Sequence, residues 1–72
     1  MNVYQTSSGY RYEQDDWRLD IAHGQSGTAF EVVSLATGGM TFESGANLDR
    51  LVALITAAKA DAISKGVNWS GT

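Results

Sequence analysis

Residues 44–66, SGANLDRLVALITAAKADAISKG, constrain this chain more than any other stretch. At about 100° per residue with Leu48 as reference, Leu51, Val52, Ile55, Ala58, Ala62 and Ile63 fall within about 80° of it, the stripe of a half-buried helix. Lys59 lies inside the stripe, where its alkyl stem can rest on apolar surface while the ammonium stays in water. Ser44 and Asn47 are both good N-caps, and the helix is expected to start from Ser44. Lys65 in the last turn and Gly66 at the left-handed position beyond it mark the end. A lone helix cannot bury its own stripe, so the preceding residues must supply a sheet to cover it. The opposite side carries Arg50, Ala53, Ala57, Ala60 and Ser64. Alanine there is either simple helix propensity on a solvated surface or a flat face for a second helix.

The sequence before the helix reads as strands and turns. Residues 2–6 suit a short strand, Ser7-Ser8-Gly9 a turn, and residues 10–14 a strand with Tyr10 and Tyr12 on one face. After Asp15-Asp16, Trp17, Leu19 and Ile21 alternate with Arg18 and Asp20, the pattern of a sheet packed on one side only. Residues 28–35 are apolar on both faces, with Phe30 and Val32 on one and Ala29, Val33 and Leu35 on the other, which predicts a central strand. Ala36-Thr37-Gly38-Gly39 predicts a tight hairpin, and residues 40–43 a return strand with Met40 and Phe42 inward. Val67 and Trp69 follow the helix, to add a short strand or fold back on the core. The expected fold is α+β, one domain over residues 1–72: an antiparallel meander of three to four strands with one C-terminal α-helix, about 45–65, packed across one face. Its helix stripe is expected to meet Trp17, Leu19, Ile21, Phe30, Val32, Met40 and Phe42.

Composition removes several function classes. The 72 residues hold no cysteine and one histidine, so there is no disulfide, thiolate metal site or multi-histidine cage. A chain this short buries only about 60% of its unfolded surface, and association is one way to add to that. With a net charge of −3 and five scattered basic residues, the chain lacks the basic patch that nucleic-acid binding needs. No apolar run is long enough to span a membrane, and residues 1–9 do not read as a signal peptide. A cytoplasmic location is expected.

Candidate chemistry is thin. Asp15, Asp16, Asp20 and His23 offer metal-type ligands, but strand spacing separates them and the oxygen pattern of a calcium loop is missing. Gly24-Gln25-Ser26-Gly27 lacks the last glycine and the strand–elbow–helix context of a nucleophile elbow. Asn68-Trp69-Ser70 fits a glycosylation triplet that has meaning only in a secreted chain. No catalytic residue, cofactor or metal is expected. What stands out is that Glu13, Asp15, Asp16 and Asp20, half of the eight acidic residues, fall within eight positions beside Tyr10 and Tyr12. Tyrosines flanked by acids fit a protein interface better than a base-stacking surface, which needs a positive groove.

Residues 17–55, with the Trp17-x-Leu19-x-Ile21 strand, the hairpin, Phe42-x-Ser44 and the leucine-rich helix, resemble many small bacterial or phage open reading frames. That resemblance implies no activity. The expected function is a small acidic, non-catalytic binding protein of phage or mobile-element accessory type. It would attach to a larger protein or complex as a regulator or inhibitor through a sheet edge bearing Tyr10, Tyr12, Glu13, Asp15, Asp16 and Asp20. The alternative is a self-associating structural module, a homodimer formed through the Ala53/Ala57/Ala60 face or a sheet edge.

Overall fold

A computed structural model describes residues 1–71 of the chain. Strands β1 (Asn2–Gln5), β2 (Gly9–Gln14), β3 (Trp17–Gly24) and β4 (Gly27–Ser34) form one antiparallel sheet in the order β1-β2-β3-β4, and α1 (Gly45–Ser64) crosses one face. The α+β meander with a C-terminal helix is therefore present. At the β2–β3 turn Asp15 takes a φ of 55°, a conformation that a short polar side chain tolerates better than most. At the start of β2 only glycine fits, because a Cβ on Gly9 would lie 2.0 Å from the Ile21 carbonyl oxygen.

The core lies between α1 and the two inner strands. Tyr12 from β2, Trp17, Leu19 and Ile21 from β3, and Leu51, Leu54, Ala58 and Ala62 from α1 are buried, with Val67 closing the end. Ser44 caps the helix as its Oγ accepts from the Asn47 N–H at 3.1 Å. At the other end Gly66, at φ 88°, donates to the Ile63 carbonyl, and Val67 donates to the Ala62 carbonyl. That pairing is a Schellman stop, whose customary apolar contact is supplied by the buried Val67.

Three expectations need correction. The helix is rotated by about 80° from the predicted orientation: Asn47 and Leu54 face the sheet, while Leu48, Val52 and Ile63 are exposed. The cause is directional. Asn47 is buried because its Oδ1 accepts from Trp17 Nε1 at 2.9 Å, and Ala58 and Ala62 present a low surface to which the sheet can approach closely.

Secondly, β4 is an edge strand, not a central one. Its outer neighbour is the C-terminal turn. Thr28 Oγ1 donates to the Asn68 carbonyl, and the Phe30 ring meets Trp69 edge-on at 4.8 Å. Thirdly, no strand returns over residues 40–43. A strand paired back along β4 would carry the chain away from Trp17, where the helix must begin. The turn instead closes through Gly38 N–H to Ser34 O and Ser34 N–H to Gly39 O, leaving Met40 exposed. Phe42 stacks on Trp17 at 5.1 Å.

Candidate functional site

The strand register sorts the sheet residues into two faces. On the helix side Val3, Tyr12, Leu19 and Val32 form one cross-strand row, and Gln5, Tyr10, Ile21 and Phe30 the next. On the open side the rows are Tyr4–Arg11–Asp20–Glu31 and Asn2–Glu13–Arg18–Val33, followed by Gly9, Ala22 and Ala29. Among the described residues no helix or strand covers this second face. Its charges are ordered by one carboxylate: Asp20 accepts from Arg11 Nε at 2.7 Å on Oδ1, and its Oδ2 lies 3.0 Å from Arg18 Nε. The Arg18 N–H is not aimed at that oxygen, so this half of the bridge is Coulombic and lacks hydrogen-bond geometry. The Arg11 pKa is raised, first by the hydrogen bond to Asp20 and then by its charge, with Glu13 and Glu31 adding to it. Past this row the small side chains of Ala22, Ala29, Ser7 and Ser8 floor a shallow trough of about 540 Å³ that ends on Arg11, Asp20 and Glu31.

Charge is unevenly shared between the two halves of the molecule. Residues 1–34 carry Glu13, Asp15, Asp16, Asp20 and Glu31 against Arg11 and Arg18, which is 2 − 5 = −3. Residues 35–72 carry Glu43, Asp49 and Asp61 against Arg50, Lys59 and Lys65, which is 3 − 3 = 0. The whole net charge therefore sits on the sheet and its turns.

The six residues expected to form one acidic, aromatic edge are not on an edge, because β2 and β3 are the two central strands. Glu13 and Asp20 lie on the open face, and Asp15 and Asp16 are exposed in the turn at its end. Tyr12 points the other way and is fully buried, its hydroxyl donating to Asp61 Oδ2 at 2.7 Å. Burial and then that hydrogen bond raise the Tyr12 pKa. The Asp61 pKa is lowered, first by Lys65, whose Nζ lies 2.7 Å from Oδ2, and then by Tyr12. Tyr10 is half-buried on the same side, stacked on His23 at 5.8 Å with Lys65 Nζ 4.8 Å from its ring.

The alternation along β2 and β3 separated Arg11, Glu13, Arg18 and Asp20 from the core, but only the register sets Tyr4 and Glu31 beside them. The Ala53/Ala57/Ala60 face is on the outer side of α1, with Ala53 and Ala60 exposed and Ala57 half-buried. No helix is long and apolar enough to cross a membrane among the described residues. Comparison with protein-family models, with curated proteins and with solved structures found no match.

Proposed function

We propose that this chain is a non-catalytic binding module that attaches through the open face of its sheet to a basic surface of a larger protein, as a regulator or inhibitor of it. One observation carries this reading: the uncovered face belongs to the half of the molecule that holds all the net negative charge. Complementary charge of this kind steers encounter and fixes orientation more than it adds affinity. The non-catalytic part rests on how the ionisable groups are used. Asp20 is held between two guanidiniums, Asp61 between Tyr12 and Lys65, and His23 is stacked on Tyr10. The location that goes with this reading is the cytoplasm.

The test is affinity capture by the immobilised protein, followed by identification of what is retained. A Glu13→Lys, Glu31→Lys double variant is expected to lose a specifically retained partner while its circular dichroism spectrum stays unchanged, and capture by the unaltered protein should weaken with salt. Retention indifferent to both the reversal and the salt would refute the proposal.

A further inference from the structure

We propose that a second copy of this chain docks on the β4-facing flank of α1, the two helices running antiparallel about a two-fold axis between residues 55 and 56. The flank is independent of the open sheet face. On it Leu48, Val52 and Ile63 are 44%, 53% and 50% exposed, beside the half-buried Ile55 and the exposed Lys59. Leu48, Val52, Ile55 and Lys59 are spaced four, three and four residues apart, the seam of an apolar heptad with a single lysine in it. α1 packs on β2 and β3 and not on β4, so among the described residues the seam is only partly covered by its own chain. Trp69, seated on Phe30, stands beside it with Lys59 Nζ 6.0 Å from its ring.

A second copy suits this seam because the spacing of its positions is close to palindromic. Antiparallel pairing sets Leu48 against Ile63, Val52 against Lys59 and Ile55 against Thr56. It also sets each Lys59 one helical turn from the partner's Asp49. Among the described residues neither Lys59 nor Asp49 has an ion-pair partner in its own chain. The pairing therefore makes two symmetric attractions, whereas parallel helices would stack Lys59 on Lys59. The three aliphatic side chains expose on the order of 300 Å² of apolar surface, the size of patch that marks a contact site on a soluble protein. With Ile55, Phe30 and Trp69 at its rim the patch reaches roughly 500 Å² per copy, the lower limit of a specific interface. A weak, concentration-dependent dimer follows.

Sedimentation from low micromolar to near-millimolar concentration tests this. The unaltered chain is expected to show a reversible monomer–dimer equilibrium. Val52→Lys, which sets a second ammonium against the partner's Lys59, should raise its dissociation constant at least about tenfold, and Ala57→Glu on the outer face should leave it unchanged. Because the chain has no cysteine, Leu48→Cys and Ile63→Cys report orientation directly. Mixed and oxidised, the two variants should cross-link to each other, and neither should cross-link to itself. A monomer at every concentration overturns the proposal and leaves the flank to a helix of another protein. So does a dimer broken by Ala57→Glu but not by Val52→Lys, or self-cross-linking of Leu48→Cys. Since none of these changes touches the open sheet face, their failure is separate from failure of the capture experiment.

Discussion

The two flanks of α1 are built on different principles. Toward β2 the helix is stitched to the sheet: Leu54 is fully buried, Asp61 accepts from the Tyr12 hydroxyl, and Lys65 pairs with Asp61 beneath the Tyr10 ring. Toward β4 it carries Leu48, Val52 and Ile63, and all three are left about half exposed. Burying a side chain of this kind fully contributes about 1.5–3 kcal/mol, so rotation to the most apolar orientation would have recovered several kcal/mol. The helix does not take it. The alternative strands the Trp17 indole N–H without Asn47, separates Tyr12 from Asp61, and turns the fully buried Leu54 away from the sheet. A buried donor without a partner costs about 1–3 kcal/mol, and lost close packing adds to that. Directional contacts and steric fit outweigh the sum of hydropathies.

That comparison can be broken by two leucines on one helix. Leu54→Ala is expected to cost about 2–5 kcal/mol, the loss typical of a fully buried leucine. Leu48→Ala, measured at low concentration, should stay within about 0.5 kcal/mol. Urea unfolding of both variants reads the difference. Equal losses, or the reverse order, would mean that the helix sits in the orientation its hydropathy favours and that the two flanks are exchanged.

The stitched flank also has a pH signature. The Asp61 pKa is lowered in the folded state, so its contribution is present above the unfolded carboxylate range near 4 and fades as pH falls through the folded value. The Tyr12 pKa is raised, so its contribution is complete below about 10 and is lost as pH climbs toward the folded value. Tyr12→Phe removes the hydroxyl and keeps the ring, and is expected to cost about 0.5–1.5 kcal/mol at neutral pH. Thermal unfolding across the alkaline range should show the unaltered protein converging on the variant. The acid limb should survive in part, because Lys65 still holds Asp61. Parallel curves at high pH would remove Tyr12 from the stitch.

Much of this architecture is legible in the sequence, because period is a local signal. The 3.6-residue repeat of the helix, the two-residue repeat of Trp17, Leu19 and Ile21, and the caps at Ser44 and Gly66 all appear at their positions. The rotation of α1 is not local. A hydropathy wheel counts Asn47 as polar and Ala58 and Ala62 as nearly neutral, so it cannot register that Trp17 needs an acceptor thirty residues away in sequence. The edge position of β4 was hidden for a related reason, since its apolar groups meet a C-terminal turn in place of another strand. Residues 40–43 alternate like a strand, but where they go is set by the far end of the helix. The candidate face was half legible. Alternation turned Glu13 and Asp20 away from Leu19, yet the same alternation turned Tyr10 and Tyr12 toward the core. Grouping all six by proximity in sequence joined residues from opposite sides of one sheet.

The smallest expected effect on folding isolates the apolar flank. Lys59 is exposed, and its own-chain contact is the ring of Trp69 at the outer limit of a cation–π interaction. Lys59→Leu should therefore change the unfolding free energy of the dilute monomer by no more than about 0.5 kcal/mol, within the range of an ordinary surface substitution. The same change turns the interrupted seam into an unbroken one, Leu48–Val52–Ile55–Leu at 59. A polar residue at a single seam position lowers stability while fixing register and partner number. Its removal should thus strengthen self-association and, with no lysine left to oppose its own copy, weaken the preference for antiparallel pairing. Sedimentation should show tighter association, and oxidised Leu48→Cys in the Lys59→Leu background should begin to cross-link to itself. A large loss of monomer stability would instead show that Lys59 supports the fold, and the contrast between a stitched flank and a free one would have to be redrawn with Trp69 as part of the stitch.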